Sequence, residues 1–408
     1  MTRETSRGAE VESPIPSSKT GSRATRLRQL DGLRGVAALV VLIGHLAIVV
    51  PEIAAPFYGL GRGATGSLEW WVNHTPLKLF TAGTEAVYIF FILSGLVVTL
   101  PYFSGKSWSW AAYYPRRIIR LYVPTLVAIV AAIALASVVR APDPASSPWL
   151  QAQSAQATPV EILRDVTLVA GQFRINNPLW SLRWEIIFSI ALPIYAALVI
   201  LTRKIWPIVL GTTLVAIVAL IAFQKDDYAY LLMFAVGMIF ASQFSRLHGF
   251  AARLSERRWG DAAWTGLFAL SIFSLISFWL FWPDDLVGTP AHFVLRGLAA
   301  VGAALLVLVV CFWARVVPFL TSRVVQWLGT ISFSLYLIHV PVVATVAFAL
   351  RDSPLWVTLV VGFVAALAAG QLFYWVIERP SHRLATATGK RILARRSARP
   401  RVPEATSS

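Results

Sequence analysis

Stretches apolar and long enough to cross a lipid bilayer recur from one end of this chain to the other, and that leaves few folds open to it. A bilayer core needs about 20 apolar residues per helical span. Inside that core every backbone N–H and C=O must find its partner within the protein, which leaves helices or a closed barrel. Ten helical stretches are read near 30–50, 79–101, 119–139, 185–202, 205–223, 228–243, 262–282, 292–314, 327–349 and 355–377. With 57% of 408 residues hydrophobic and 14% charged, there is too little polar surface for a soluble domain of this length. The predicted fold class is an all-α integral membrane protein with about ten transmembrane helices. The single cysteine, Cys311, lies within an apolar run, so neither an internal disulfide nor a cysteine-cluster metal site is expected.

Charge sets the orientation. The chain has a net charge of +16, which in a soluble protein would suggest nucleic acid; here it first reports topology, and no nucleic-acid partner is expected. Of 36 Lys and Arg, 26 fall on the side of the N-terminus, eight on the opposite side and two, Arg34 and Arg296, within spans. The positive-inside rule then predicts both termini in the cytoplasm. Residues 1–29 read as a basic cytoplasmic tail without a signal-peptide pattern, 30–380 as one membrane domain, and 381–408 as a polybasic cytoplasmic tail suited to anionic lipid. The segment 140–184, rich in Pro, Ser, Gln and Asn, is the expected outer cap.

The first span, "LDGLRGVAALVVLIGHL", carries Asp31, Arg34 and His45. Arg34 and His45 are eleven residues apart, so a helix puts them on one face, roughly 16 Å apart along its axis. An ionisable group at membrane depth costs roughly 2.5–3.5 kcal/mol even on the insertion scale. The stripe must therefore face protein or a wet cavity, although snorkelling alone would accommodate Arg34. "YYPRRIIRLYVP" adds Arg117 and Arg120, three apart on one helical face at the cytoplasmic entrance of the third span. Guanidinium forks bind phosphates bidentately; ordinary topological anchoring is the alternative. Phosphates held at the inner surface, with a reactive end about 16 Å deeper, match the shape of acyl-coenzyme A.

Other motifs supply polar groups at membrane depth. "PLWSLRWE" puts Trp180, Ser181 and Glu185 at the outer mouth of the fourth span, with Glu185 at the depth of His45, able to orient its imidazole or bind an acceptor hydroxyl. Interfacial anchoring is the alternative there. In "FFILSGLVV", Ser94 and Gly95 allow close helix approach or passage of a thin ligand. "SFSLYLIHVP" places Tyr336 and His339 on one face of the ninth span, as a core hydrogen-bond network or a supporting pair. Glu378 and Arg379 read as structural, and Asn73-His74-Thr75 matches a glycosylation sequon.

In order along residues 28–380, the blocks "LDGLRGVAALVVLIGH", "FFILSGLVV", "RRIIRLYVP", "PLWSLRWE" and "SFSLYLIHVP" resemble the membrane acyltransferase 3 family. The resemblance implies transfer of acyl groups, often acetyl, from cytoplasmic acyl-coenzyme A to hydroxyls of glycans, glycolipids or macrolides. It implies a catalytic role for His45 and donor-side roles for Arg34, Arg117 and Arg120. Glu85 departs from the pattern, lying further from the Phe90-Phe91 pair than the family's acidic residue usually does. Many members carry a fused extracytoplasmic domain; none is expected here.

The resulting expectation is a multi-pass O-acyltransferase of a plasma membrane. Its catalytic residues are His45 and Glu185, its donor is held by Arg34, Arg117 and Arg120, and Asp31, Ser94, Trp180, Ser181, Tyr336 and His339 bind substrate or support the site. No metal is required. His45 acts as general base or as an acyl relay. Six Lys against 30 Arg fit a GC-rich bacterial genome. A transporter without chemistry is the rival class, disfavoured by the lack of visible half-to-half repeats; a non-catalytic scaffold leaves the Arg34–His45 stripe unexplained.

Overall fold

A computed structural model describes residues 27–61, 63–105, 108–137, 146–153, 158–171, 173–174, 176–281 and 288–397. Residues 1–26 and 398–408 of the two tails, and 140–145, 154–157, 172 and 175 of the expected outer cap, lie outside these. The described residues are mostly helical, with no strand among them. In chain order the α-helices are α1 (Arg28–Ala47), α2 (Pro51–Ala54), α3 (Leu68–His74), α4 (Gly83–Phe103), α5 (Trp110–Ala136), α6 (Pro148–Gln153), α7 (Pro159–Thr167), α8 (Leu179–Leu201) and α9 (Trp206–Ala222). There follow α10 (Asp226–Ser242), α11 (Phe244–Ser255), α12 (Gly260–Leu280), α13 (Pro290–Phe312), α14 (Val317–Leu320), α15 (Arg323–Ala349), α16 (Leu355–Phe373) and α17 (Arg379–Ser397).

Eight described helices are long and apolar enough to span a bilayer: α1, α4, α5, α8, α12, α13, α15 and α16, the last running on into α17. The two remaining expected spans are the 17-residue helices α9 and α10, at the lower limit of spanning length. After α10 the chain bends by 73° into α11, whose apolar face packs Ala251 and Leu254 against Trp264 and Trp313. Two helices start well before their expected boundaries. α5 opens at Trp110, which draws Arg116, Arg117 and Arg120 inside it, and α8 opens at Leu179 directly after Pro178. Trp180, Ser181 and Glu185 are thus within a helix, where the sequence pattern suggested a mouth: Leu179 and Leu182 carry the apolar face one turn beyond the expected boundary, and both are buried.

Small residues decide which helices touch. A side chain at Gly35 would collide with the backbone of Gly329, and one at Gly329 with the carbonyl of Asp31, so α1 and α15 meet backbone to backbone. Gly95 and Gly237 do the same for α4 and α10. The starts of α1, α5 and α15 gather at one end of the bundle, where Gln326 Nε2 donates to the carbonyl of Arg28 (2.8 Å) and Arg116 packs on Gly389 of α17. This is the basic end. His45 lies at the far end, beside α6 and the start of α4. The stretch expected as a polybasic C-terminal tail is helical to Ser397, continuous with α16 through a π turn at Tyr374–Glu378, and packs along α5.

Candidate active site

A cavity of about 100 Å3 opens at the basic end between α1, α4, α5, α8 and α15. Arg34, Arg117 and Arg120 all face it, as do Asp31, Ser94 and Glu185. Phe90, Phe91, Phe234 and Phe333 form much of the remaining wall, with Ser181, Ser332 and Tyr336. Three guanidinium groups against two carboxylates leave the lining cationic.

Arg117 is the hub of this wall. Its Nη2 lies 2.6 Å from Glu185 Oε1 and its Nε donates to Ser189 Oγ at 3.0 Å. Ser94 Oγ donates to the same Glu185 oxygen at 3.1 Å. Glu185 is therefore the counter-ion of Arg117, and its described partners do not include His45. Nearer the far end, Ser181 Oγ and Tyr336 Oη are 2.7 Å apart and share the carbonyl of Pro178. Trp180 is not among the lining residues; its ring lies 5.2 Å from Tyr230 and 6.2 Å from Phe91 of the cavity wall.

One helical turn beyond Tyr336, α15 delivers His339 to His45 on α1. His339 Nε2 lies 3.3 Å from His45 Nδ1. His339 Nδ1 faces the carbonyls of Leu335 and Tyr336, each at 3.0 Å. Carbonyls only accept, so His339 Nδ1 carries the proton and Nε2 the lone pair. That lone pair, together with the Val41 carbonyl 2.9 Å from His45 Nδ1, makes His45 Nδ1 the donor. The Nε2 of His45 is left with an unshared lone pair, the form a base or nucleophile needs. His45 is absent from the cavity lining; Tyr336, its ring 5.7 Å from Phe90 in that lining and 5.9 Å from the ring of His339, links the cavity wall to the histidine pair.

Two features of the far end were not legible as site residues in the sequence. Trp149, from α6 in the expected outer cap, is 3% exposed, and its ring centroid is 5.7 Å from that of His45. Its indole N–H is buried, with no hydrogen-bond partner among the described residues. Lys78, in the 3-10 turn Pro76–Phe80, is fully buried: Nζ donates to Asn73 Oδ1 (3.2 Å) and sits 3.8 Å from the centre of the Trp279 ring. Burial pulls its ammonium down to about 7, against the opposing pull of Glu85. Glu85 itself accepts from Trp279 Nε1 at 2.9 Å. Asn73 is likewise buried, its amide donating to the Ile53 carbonyl, so the sequon is a packing feature. Glu378 accepts from both the backbone N–H and Oγ of Ser334, a structural tie between α15 and the π turn.

Residues 27–375 match an acyltransferase domain family, acyltransferase 3, a match that covers the whole bundle up to the π turn. The chain belongs to this family. It is also similar to acyltransferase MdmB of Streptomyces mycarofaciens, with 27% identity over 386 residues that cover 89% of this chain and 93% of the relative. No solved structure matches the chain. The acyltransferase is thus a multi-pass membrane enzyme that transfers an acyl group to a hydroxyl oxygen, and among its described residues no group of His, Cys, Asp and Glu could hold a metal ion.

Proposed function

We propose that this acyltransferase takes its acyl group from cytoplasmic acyl-coenzyme A and passes it to a hydroxyl of a glycan, glycolipid or glycosylated metabolite at the far end of the bundle, in a bacterial plasma membrane. The observation that carries this reading is the cavity itself: three arginines at its basic end, and a histidine pair one turn past its other end. Arg34, Arg117 and Arg120 suit the donor's phosphates. The thin pantetheine arm extends between Phe90 and Tyr336 toward His45. The acceptor hydroxyl gives its proton to His45 Nε2 as its oxygen attacks the thioester carbon. The C–S bond then breaks and the sulfur leaves with that proton, giving an ester and a free thiol. In a relay, Nε2 attacks the thioester carbon first, the C–S bond breaks and the thiolate leaves; the acceptor hydroxyl then attacks the acyl carbon, the N–acyl bond breaks, and the hydroxyl proton is passed to the thiolate. His339 holds the ring in the tautomer that either route needs.

The test is release of free thiol from acetyl-coenzyme A by purified protein, alone and with candidate acceptors, beside mass spectrometry of glycans, lipids and secreted metabolites from cells with and without the gene. An acylated product confined to cells that carry the gene supports the reading. Identical products in both, together with no thiol release, would refute it.

A further inference from the structure

A second cavity, of about 580 Å3, lies between the end of α8 and the α10–α11 bend and shares no lining residue with the central one. Its wall is divided by chemistry. Phe103, Val199 and Ile200 form an apolar side, while Arg203, Lys204 and Arg246 bring three cations to the rim; among the described residues no carboxylate lines it. All three cations are exposed. Arg246 is steered by its bond to Gln243 Oε1 at 3.1 Å, and Gln243 is buried.

The position of this cavity argues for its occupant. Leu198, Leu201 and Ile205 flank it and are 56%, 78% and 52% exposed, so the apolar side continues into the lipid-facing surface of the bundle. The 73° bend carries α11 away from the bundle axis at the level where α8 ends, and with it Arg246. Apolar contacts toward the hydrocarbon and three cations at its edge complement acyl chains joined to an anionic headgroup. A soluble phosphate would leave the apolar side unfilled. The donor's phosphates are accounted for by the arginines of the separate central cavity.

We propose that this cavity is a binding site for an anionic phospholipid, whose headgroup phosphate is held by Arg203, Lys204 and Arg246 and whose chains lie along Val199 and Ile200. Occupancy ties the end of α8 to the α10–α11 bend.

The test titrates full-length detergent-solubilised protein with phosphatidylglycerol, phosphatidylcholine of the same chains, glycerol phosphate and coenzyme A, and reads bound species by native mass spectrometry. Phosphatidylglycerol should bind at least about tenfold better than phosphatidylcholine, with neither soluble phosphate displacing it. The triple variant Arg203→Ala, Lys204→Ala, Arg246→Ala should lose that preference. Lys390→Ala with Arg391→Ala, on the other basic surface, α17, should keep it. Equal binding of the two lipids overturns the proposal, as does preference surviving the triple variant. Displacement by coenzyme A also overturns it, in favour of a donor-phosphate site. Should the triple variant fail to fold, Lys204→Glu at its exposed position decides: undiminished preference overturns the site.

Discussion

Arg117 of α5 and Glu185 of α8 form an ion pair at 2.6 Å inside the central cavity, so the residue suited to a donor phosphate already has a carboxylate partner. Removing the guanidinium alone strands a largely buried carboxylate, and losses from breaking such a pair run to several kcal/mol. Arg117→Ala should therefore lower thermal stability and also raise the donor KM, roughly ten- to a hundredfold for one charge-assisted contact. Adding Glu185→Gln should recover much of the stability and none of the KM. Recovery of both in thermal melts and donor titrations would show that Arg117 serves the fold alone.

The histidine pair predicts a graded series. His45→Ala should abolish transfer with an unchanged melting temperature. His339→Phe leaves His45 in place without its orienting acceptor and should lower kcat about ten- to a hundredfold, within the range general-base catalysis supplies. His339→Gln, whose side-chain oxygen can accept from His45 Nδ1, should restore part of that loss. Single-turnover rates with saturating donor distinguish the three.

Trp149 brings an indole N–H beside His45, and among the described residues that N–H has no partner. A buried donor left unpaired is costly, and such groups mark sites where a ligand completes the bond. Trp149→Phe keeps an aromatic ring and removes the N–H. It should lower kcat by about tenfold or more while donor KM stays within about twofold. An unchanged kcat would assign Trp149 to packing.

Lys78 makes stability depend on pH. Its folded-state value, about 7, lies below its ordinary 10.5, so between these the unfolded chain binds more protons. Stability should rise with pH across that window, by up to about 1.4 kcal/mol per unit from this group, and the cost of burying the cation is fully felt below it. Lys78→Met should flatten the slope of melting temperature against pH between 7 and 10. A slope unchanged by the substitution would rule Lys78 out as its source.

Orientation is testable by labelling. In a Cys311→Ser background, a cysteine at Ser146 should react with an impermeant reagent in intact cells, and one at Ser255 should react only after lysis. The reverse pattern would exchange the sides assigned to donor and acceptor.

Hydrophobicity and helical period are local properties, and they made the helices readable: every expected span coincides with a helix, and Arg34 and His45 lie on the same helix at the expected separation. The sequence motifs also carried the family. What the sequence left open was which faces meet. His45 and His339 are 294 residues apart and touch only because α1 and α15 approach at Gly35 and Gly329. Glu185 was expected at the depth of His45, to orient its imidazole or bind the acceptor; α8 sets it against Arg117, where a largely buried carboxylate gains a counter-ion. Trp149 and Lys78 lie in short loop elements whose local pattern is that of surface segments. Their burial comes from the neighbours they meet, His45 on α1 and Trp279 on α12, and no window of sequence contains both partners. Local patterning determined the elements and the residue types of the site; packing decided which of those residues share a proton, a charge or a wall.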